Sequence, residues 1–152
     1  MRIRSGLVAV LSAGLLAVSL APVASAQSPA PNALAGSGWV LGAVGGSPVA
    51  SGVNANLIFA DTDAGGFGGC NRFFGGYTTD GASTLVFGPL ASTKMACDEA
   101  TDAFETSYLT ALATVATYAI TDTGLNLSDA AGTVVLSFGA EAPASGYNDH
   151  GC

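Results

Sequence analysis

The residues best suited to covalent or metal chemistry are three cysteines, Cys70, Cys97 and Cys152. A zinc site needs about four ligands, often with closely spaced cysteine pairs; the chain has no CxxC pair, and its one histidine, His150, stands near the C-terminus. These residues predict no metal and no cofactor. In an oxidising compartment, Cys70 and Cys97 are expected to form a disulfide, which would stabilise the fold by roughly 3 kcal/mol. Cys152 is left over, either as a free thiol or as one available for an intermolecular disulfide.

A catalytic set is difficult to assemble from this sequence. A Ser-His-Asp or Cys-His arrangement would have to recruit His150 from the terminal tail. The carboxylates fall in turns and at the start of a predicted helix, where solubility and capping account for them. Asp61 and Asp63 precede Gly65 as in a calcium loop, but an EF-hand would need glutamate where Arg72 stands, so a tight turn is predicted. We expect no enzyme; the alternative is an enzyme with an unrecognised carboxylate-based site, such as the acid pair of glycosidases.

A glycine-rich stretch, GGFGGCNRFFGG, occupies residues 65–76. It lacks the GxxxxGK[ST] phosphate loop, and Asn71 stands where a dinucleotide fingerprint requires Gly or Ala. Glycine also permits bulges, positive φ angles and close approach of two backbones. The stretch is therefore predicted to lie where strands bend sharply.

Arg72 and Lys94 are the only basic residues after residue 26, whereas all 11 acidic residues follow it, so residues 27–152 carry a net charge of −9. Two cations cannot neutralise a phosphate backbone or hold a chain on anionic lipid, so nucleic acid is not an expected partner and neither is a membrane surface. Two interpretations stay open. Each cation forms an ion pair with a carboxylate such as Asp98 or Glu105, or the two cations form a small basic spot for an anionic ligand.

The first 26 residues have the three parts of a secretory signal peptide. Arg2 and Arg4 precede an apolar stretch, and the segment ends in small residues, so cleavage is expected between Ala26 and Gln27. The apolar stretch is shorter than the about 20 residues that a membrane-spanning helix needs, so stable membrane insertion is not expected. We predict an exported protein, periplasmic or secreted, with a flexible linker at 27–34, one domain at 35–140 and a flexible tail at 141–152.

Short apolar stretches separated by turn residues predict antiparallel strands over most of the domain. One segment, 98–114, has no proline or glycine and repeats its apolar residues every three or four positions, which predicts a helix capped by Asp98. The sequence thus predicts an α+β fold: a small antiparallel, barrel-like curved sheet of about seven to eight strands with one α-helix. The predicted strands lie at 39–41, 56–60, 67–70, 73–78, 84–87, 117–121, 125–128 and 133–138.

Several of these residues together resemble a known family pattern. The runs at 69–72 and 93–97 are similar to the GCN(R) and T.MAC motifs of the META domain, the fold unit of the heat-shock protein HslJ family. Including Leu34, the helix residues Glu105 and Tyr108, and the strands after them, the resemblance covers residues 34–138. It implies a small barrel-like structure with one helix, in an exported or envelope protein associated with stress response, without established enzyme chemistry. The motif residues are Gly69, Cys70, Asn71, Arg72, Thr93, Lys94, Met95 and Cys97.

These observations predict an exported, non-catalytic binding or structural module, a stress-related monomer whose partner is an unidentified envelope component or protein. A deep pocket with convergent acidic groups would favour the enzyme alternative. A shallow surface with an exposed aromatic patch would favour a binding module.

Overall fold

The computed structural model describes residues 31–140, together with Gly14. The expected cleavage site and the tail from residue 141 onward lie outside the described residues, as does the predicted signal peptide apart from Gly14. No helix among the described residues is both long and apolar enough to span a membrane. The described elements are β1 (Gly38–Val44), β2 (Ser47–Pro48), β3 (Asn56–Phe59), β4 (Asp63–Phe67), β5 (Arg72–Thr79), β6 (Leu85–Phe87), β7 (Ala91–Ser92), α1 (Glu99–Thr114), β8 (Val115–Thr121), β9 (Gly124–Asp129) and β10 (Val134–Ala140).

The strands form an antiparallel sheet in the order β6-β5-β4-β3-β1-β10-β9-β8, with β2 paired to β1 and β7 paired to β5. The two ends of this order meet. Thr84, just before β6, forms a bridge with Thr117 of β8, and the amide of Tyr118 donates to the carbonyl oxygen of Ser83 at 2.7 Å. The sheet is therefore a nearly closed barrel, which confirms the predicted fold class.

Helix α1 begins where the sequence predicted. Asp98 is its N-cap, with its side chain accepting from the amide of Thr101, and the helix ends at Thr114. Its buried face presents Glu105, Tyr108 and Leu112, which are spaced by three and four residues. The helix contacts β1, β6 and β10, so it closes over the barrel with this one face.

One hydrophobic core joins the buried faces of the strands to the helix. Tyr108 is completely buried, and its ring meets Phe73 edge-on at a centroid distance of 5.5 Å. The Tyr108 hydroxyl donates to the carbonyl oxygen of Asn56 at 3.0 Å, which satisfies the one polar atom that the side chain brings into the core. Tyr108 thus fixes the helix to β3 and β5. Other fully buried core residues are Leu34, Leu57, Leu85, Leu112, Leu125, Leu127 and Leu136.

The glycine-rich stretch contains a strand that the sequence placed elsewhere. The prediction set a turn over 61–66 and a strand over 67–70, but β4 runs Asp63–Phe67 and the chain bends over 69–71. A Cβ on Gly65 would lie 2.8 Å from the carbonyl oxygen of Phe73, so glycine here permits two backbones to approach closely within a sheet. The prediction of a turn at Gly65 was wrong, because this glycine lies in β4 and permits the close approach of the backbone at Phe73.

The folded unit begins earlier than residue 35. Leu34 is completely buried, and Nδ2 of Asn32 donates to the hydroxyl oxygen of Tyr77 at 2.7 Å. Oδ1 of Asn32 accepts from the amide of Leu34 at 3.0 Å. Residues 32–34, predicted as the end of the flexible linker, are therefore part of the fold. Their composition resembles a linker, and composition does not show that one leucine fills a core position.

Candidate functional site

The motif residues converge on one buried carboxylate, that of Glu105 in α1. Its side chain is 8% exposed. Oε2 accepts from the backbone amides of Cys70 and Asn71 at 3.1 and 2.5 Å, and Oε1 accepts from Nδ2 of Asn71 at 2.8 Å. Three donors on a bend thus meet both oxygens of a single carboxylate, which offsets the cost of burying it. Glu105 is therefore an anchor that holds the 68–71 bend against the helix.

Asn71 carries the connection onward to the segment that precedes the helix. It is 6% exposed, and its Oδ1 accepts from the amide of Met95 at 2.6 Å and from Oγ1 of Thr93 at 3.0 Å. Its Nδ2 also donates to the carbonyl oxygen of Met95 at 3.3 Å. Every polar atom of this side chain is paired, so the asparagine fixes the position of residues 93–95.

Cys70 and Cys97 form the predicted disulfide, with their Cα atoms 6.1 Å apart. Cys70 is buried and Cys97 is exposed. A carboxylate oxygen of Asp102 lies within 4.8 Å of both sulfur atoms, but disulfide sulfurs are not the thiolates that a metal ion requires. The bond therefore joins the bend to the start of α1 alongside the Glu105 anchor.

Two glycines of the bend make room for the anchor. A Cβ on Gly68 would lie 2.7 Å from Oε2 of Glu105. Gly69 has φ +111°, a region that side-chain-bearing residues rarely adopt. The glycine before Cys70 is thus required by backbone conformation, as the sequence predicted for this stretch.

Comparison with known protein families identifies the family of this chain. The family model described as META domain matches residues 32–142. The chain belongs to the META domain family. The match begins at Asn32, the residue with which the described fold also begins its side-chain contacts.

Two solved structures are similar to this META domain. One is titled as the NMR structure of the protein from Burkholderia xenovorans; it is 28% identical, with a TM-score of 0.59, and the alignment covers 80% of this chain and 97% of that one. The other is titled only as the NMR structure of the protein; it is 24% identical, with a TM-score of 0.56, covering 70% of this chain and 91% of that one, and it shows the fold alone. A comparison with curated proteins gives no match.

The ion pairs considered for Arg72 and Lys94 do not involve the expected carboxylates. Both oxygens of Glu105 are taken by Cys70 and Asn71. Asp98 accepts from the amide and the hydroxyl of Thr101 at 3.0 and 2.6 Å, and these bonds hold its pKa below its usual value. In the described residues Glu105 thus binds the backbone bend and Asp98 the helix cap, and neither is seen to bond to Arg72 or Lys94.

Arg72 and Lys94 instead lie exposed at the edge of the META domain where β5 meets β7. Nζ of Lys94 lies 3.3 Å from Oγ of Ser92. Phe74 and Met95, which are 66% and 61% exposed, are the two most exposed large apolar side chains of the described residues. Both cations of the predicted mature chain therefore lie in the segments that carry its most exposed apolar side chains. We call Arg72, Phe74, Lys94 and Met95 the β7 surface.

Two open grooves mark the surface elsewhere. One runs between α1 and the β1–β2 hairpin, and among its lining residues are Val44, Pro48 and Phe104, with no carboxylate. The other contains Asp61, Asp80 and Tyr77. In the second groove, burial raises the pKa of Tyr77 above its ordinary value of 10.0, so its hydroxyl stays protonated and donates to the carbonyl oxygen of Ala60 at 2.7 Å.

Asp80, in the same groove, is turned toward its own loop. Its Oδ1 accepts from the amides of Ala82, Ser83 and Thr84, each at 2.9 Å, and these bonds hold the pKa of Asp80 far below its ordinary value of 3.8. A strongly ionised carboxylate that accepts three amides is suited to fixing a turn and poorly suited to giving up a proton. Asp61 stands in the turn before β4, where the sequence predicted a turn.

Proposed function

We propose that this META domain is an exported, non-catalytic binding module of the cell envelope or the secreted fraction, related to HslJ proteins and to stress response. The observation that carries the proposal is the β7 surface, where an exposed aromatic ring and one basic side chain lie on one face of the sheet edge, the other basic side chain lies on the opposite face, and an exposed thioether follows it in the chain. Exposed apolar side chains next to charges of one sign are typical of protein-binding sites.

The hydrogen bonds of three carboxylates support a non-catalytic interpretation. Catalytic carboxylates need an oxygen that can reach a substrate. Glu105 uses both oxygens on Cys70 and Asn71, Asp98 uses both on Thr101, and Asp80 uses both on its own loop. These three carboxylates are already occupied by structural hydrogen bonds, so we prefer the binding module to the carboxylate-based enzyme.

Site-specific photo-crosslinking tests this function in cells that export the protein. A photoreactive phenylalanine analogue is placed at position 74, and a control is placed at Ile120, an exposed strand residue 45% accessible on β8. We expect a discrete covalent adduct from position 74 and none from position 120. Equal labelling from both positions, or no adduct from either, would overturn the proposal.

A further inference from the structure

The described sheet has an open edge at β7. One side of β5 is paired with β4 along residues 72–76, and the other side is shared by β7 at Phe73–Phe74 and by β6 at Tyr77–Thr79. Among the described strands, β7 pairs with β5 alone. Residues 93–98 continue from β7 and are all exposed. An edge of this kind presents backbone donors and acceptors to solvent.

The hydrogen bonds of this segment show which amides face outward. The amide of Thr93 donates to the carbonyl oxygen of Arg72 at 2.9 Å, and the amide of Met95 donates to Oδ1 of Asn71 at 2.6 Å. Successive amides of an extended chain point in opposite directions. The amides of Ser92 and Lys94 therefore point away from β5, toward the open side.

The side chains beside this edge differ between its two faces. Phe74 lies opposite Ala91 in the β5–β7 pairing, and the small alanine leaves the aromatic ring open to anything that lies beyond β7. Arg72, two residues before Phe74, lies on the same outward face of β5. Lys94 lies on the other face, beside Ser92. A strand added to β7 would thus have an aromatic ring and a guanidinium near one face and an ammonium near the other.

We propose that the open edge of β7 binds an extended acidic peptide segment of another exported protein, which adds to the sheet as a further antiparallel or parallel strand. This inference rests on the proposed function and names its partner class. The outward amides select a peptide backbone over a glycan or a lipid. Charge selects acidic residues: residues 27–152, with a net charge of −9, repel an acidic segment except beside Arg72 and Lys94.

Synthetic peptides test the edge directly with the purified chain, by fluorescence anisotropy at low salt. The probe is a labelled eight-residue peptide that alternates Glu and Val. Its counterparts are the Lys and Val version and the Glu and Val version with alternate amides N-methylated, which cannot pair along that side. We expect only the unmethylated Glu and Val peptide to bind.

Amino-acid substitutions test whether the Glu and Val peptide binds at the β7 edge. Lys94→Gln and Phe74→Ser should each weaken the affinity roughly fivefold, which corresponds to about 1 kcal/mol. Two matched controls lie on β8: Ala119→Glu makes the same change in net charge as Lys94→Gln, and Ile120→Ser removes another exposed apolar side chain. Both controls should bind as the unaltered chain does, and higher salt should weaken the interaction.

Several outcomes would overturn the inference. Equal binding of the N-methylated peptide would exclude strand addition. Binding of the anionic polysaccharide polygalacturonate, or of vesicles containing anionic lipid, without binding of the Glu and Val peptide would assign the surface to a polyanion. A crosslink at position 74 in cells without peptide binding would leave the binding module standing and reject its acidic peptide partner; failure of both experiments would reject both.

Discussion

At the scale of single residues, a carboxylate in the interior is tolerated only when its oxygens are paired. Glu105 meets this condition through two amides and one side-chain amide on the bend. The side chain of Asn71, which donates to Glu105, also accepts from the amide of Met95. The sequence offered Glu105 as a helix residue of the family pattern and as one partner for Arg72, but a hydrogen bond across 35 residues of chain leaves no signature in local spacing.

Glu105→Gln should destabilise the domain by about 1–3 kcal/mol. Glutamine has one oxygen and one NH₂ group, so one of the three buried donors would face another donor. Asn71 cannot turn over to compensate, because its Oδ1 already accepts from Met95 and Thr93. Urea unfolding at neutral pH measures the change.

The control for that experiment is Glu99→Gln, an exposed carboxylate in the first turn of the same helix. It should lose less than about 1 kcal/mol, since it affects only the helix dipole. Equal effects from the two variants would show that Glu105 does not act as an anchor.

The disulfide between Cys70 and Cys97 is the second feature at the residue scale that stabilises the bend. Replacing Cys70 and Cys97 together by alanine should cost roughly 2–4 kcal/mol of unfolding free energy, because the link holds the bend to the start of α1. The measurement is best made in a Cys152→Ser background, so that no third thiol can exchange with the pair. An unchanged urea midpoint in the double variant would contradict a structural role.

At the scale of elements, α1 depends on its N-cap. Asp98→Ala should lower the thermal midpoint and the helical circular-dichroism signal near neutral pH, because the amide and hydroxyl of Thr101 lose their acceptor. Asp98→Asn should retain most of the stability, since its amide oxygen can still accept from the Thr101 amide.

The pH dependence separates these two variants further. Because the pKa of Asp98 is lowered in the folded chain, its ionised form contributes stability that is fully present above its unfolded value of about 3.8 and is lost as the pH falls through the lower folded value. The difference in thermal midpoint between the unaltered chain and Asp98→Asn should shrink on acidification below pH 3.8. A difference that grows there would contradict the sign of the shift.

At the scale of the whole molecule, positive and negative charges are distributed unevenly over the surface. All but two of the charges after residue 26 are negative, and the two cations lie at the β7 surface. A single basic edge on an acidic body orients an acidic partner before contact and disfavours other approaches. This uneven distribution of charge supports the proposed binding of an acidic partner at the β7 edge, and it is visible only in the folded molecule.

Export is the prediction that concerns the whole chain. The signal-peptide pattern of residues 1–26 predicts cleavage after Ala26. Intact-mass measurement of the protein recovered outside the cytoplasm should show a chain that begins at Gln27. A retained Met1, or recovery from the cytosol alone, would contradict export and with it the oxidising compartment on which the disulfide prediction depended.

The sequence by itself determined the features that depend on neighbouring residues. Helix α1 followed from a local repeat and an aspartate cap, and the β8–β10 meander followed from its turn residues. The pairing of Cys70 with Cys97 was predicted from the export signal, the motif position of both cysteines and the lack of a histidine to complete a metal or catalytic site. The net charge also needs no structure. The helix, the meander and the net charge are each fixed by neighbouring residues or by composition, so the sequence alone contains them.

Only the tertiary structure decided what depends on residues distant in the chain. Gly65 belongs to a strand because the backbone at Phe73 must come close to it, and Leu34 belongs to the core because the barrel covers it. Glu105 and Asp98 bond to the bend and to the helix cap, while Arg72 and Lys94 lie exposed. β7 is an edge because no described strand lies beyond it. Which polar groups pair with each other, and which side chains fill the core, is settled only when the whole chain has folded.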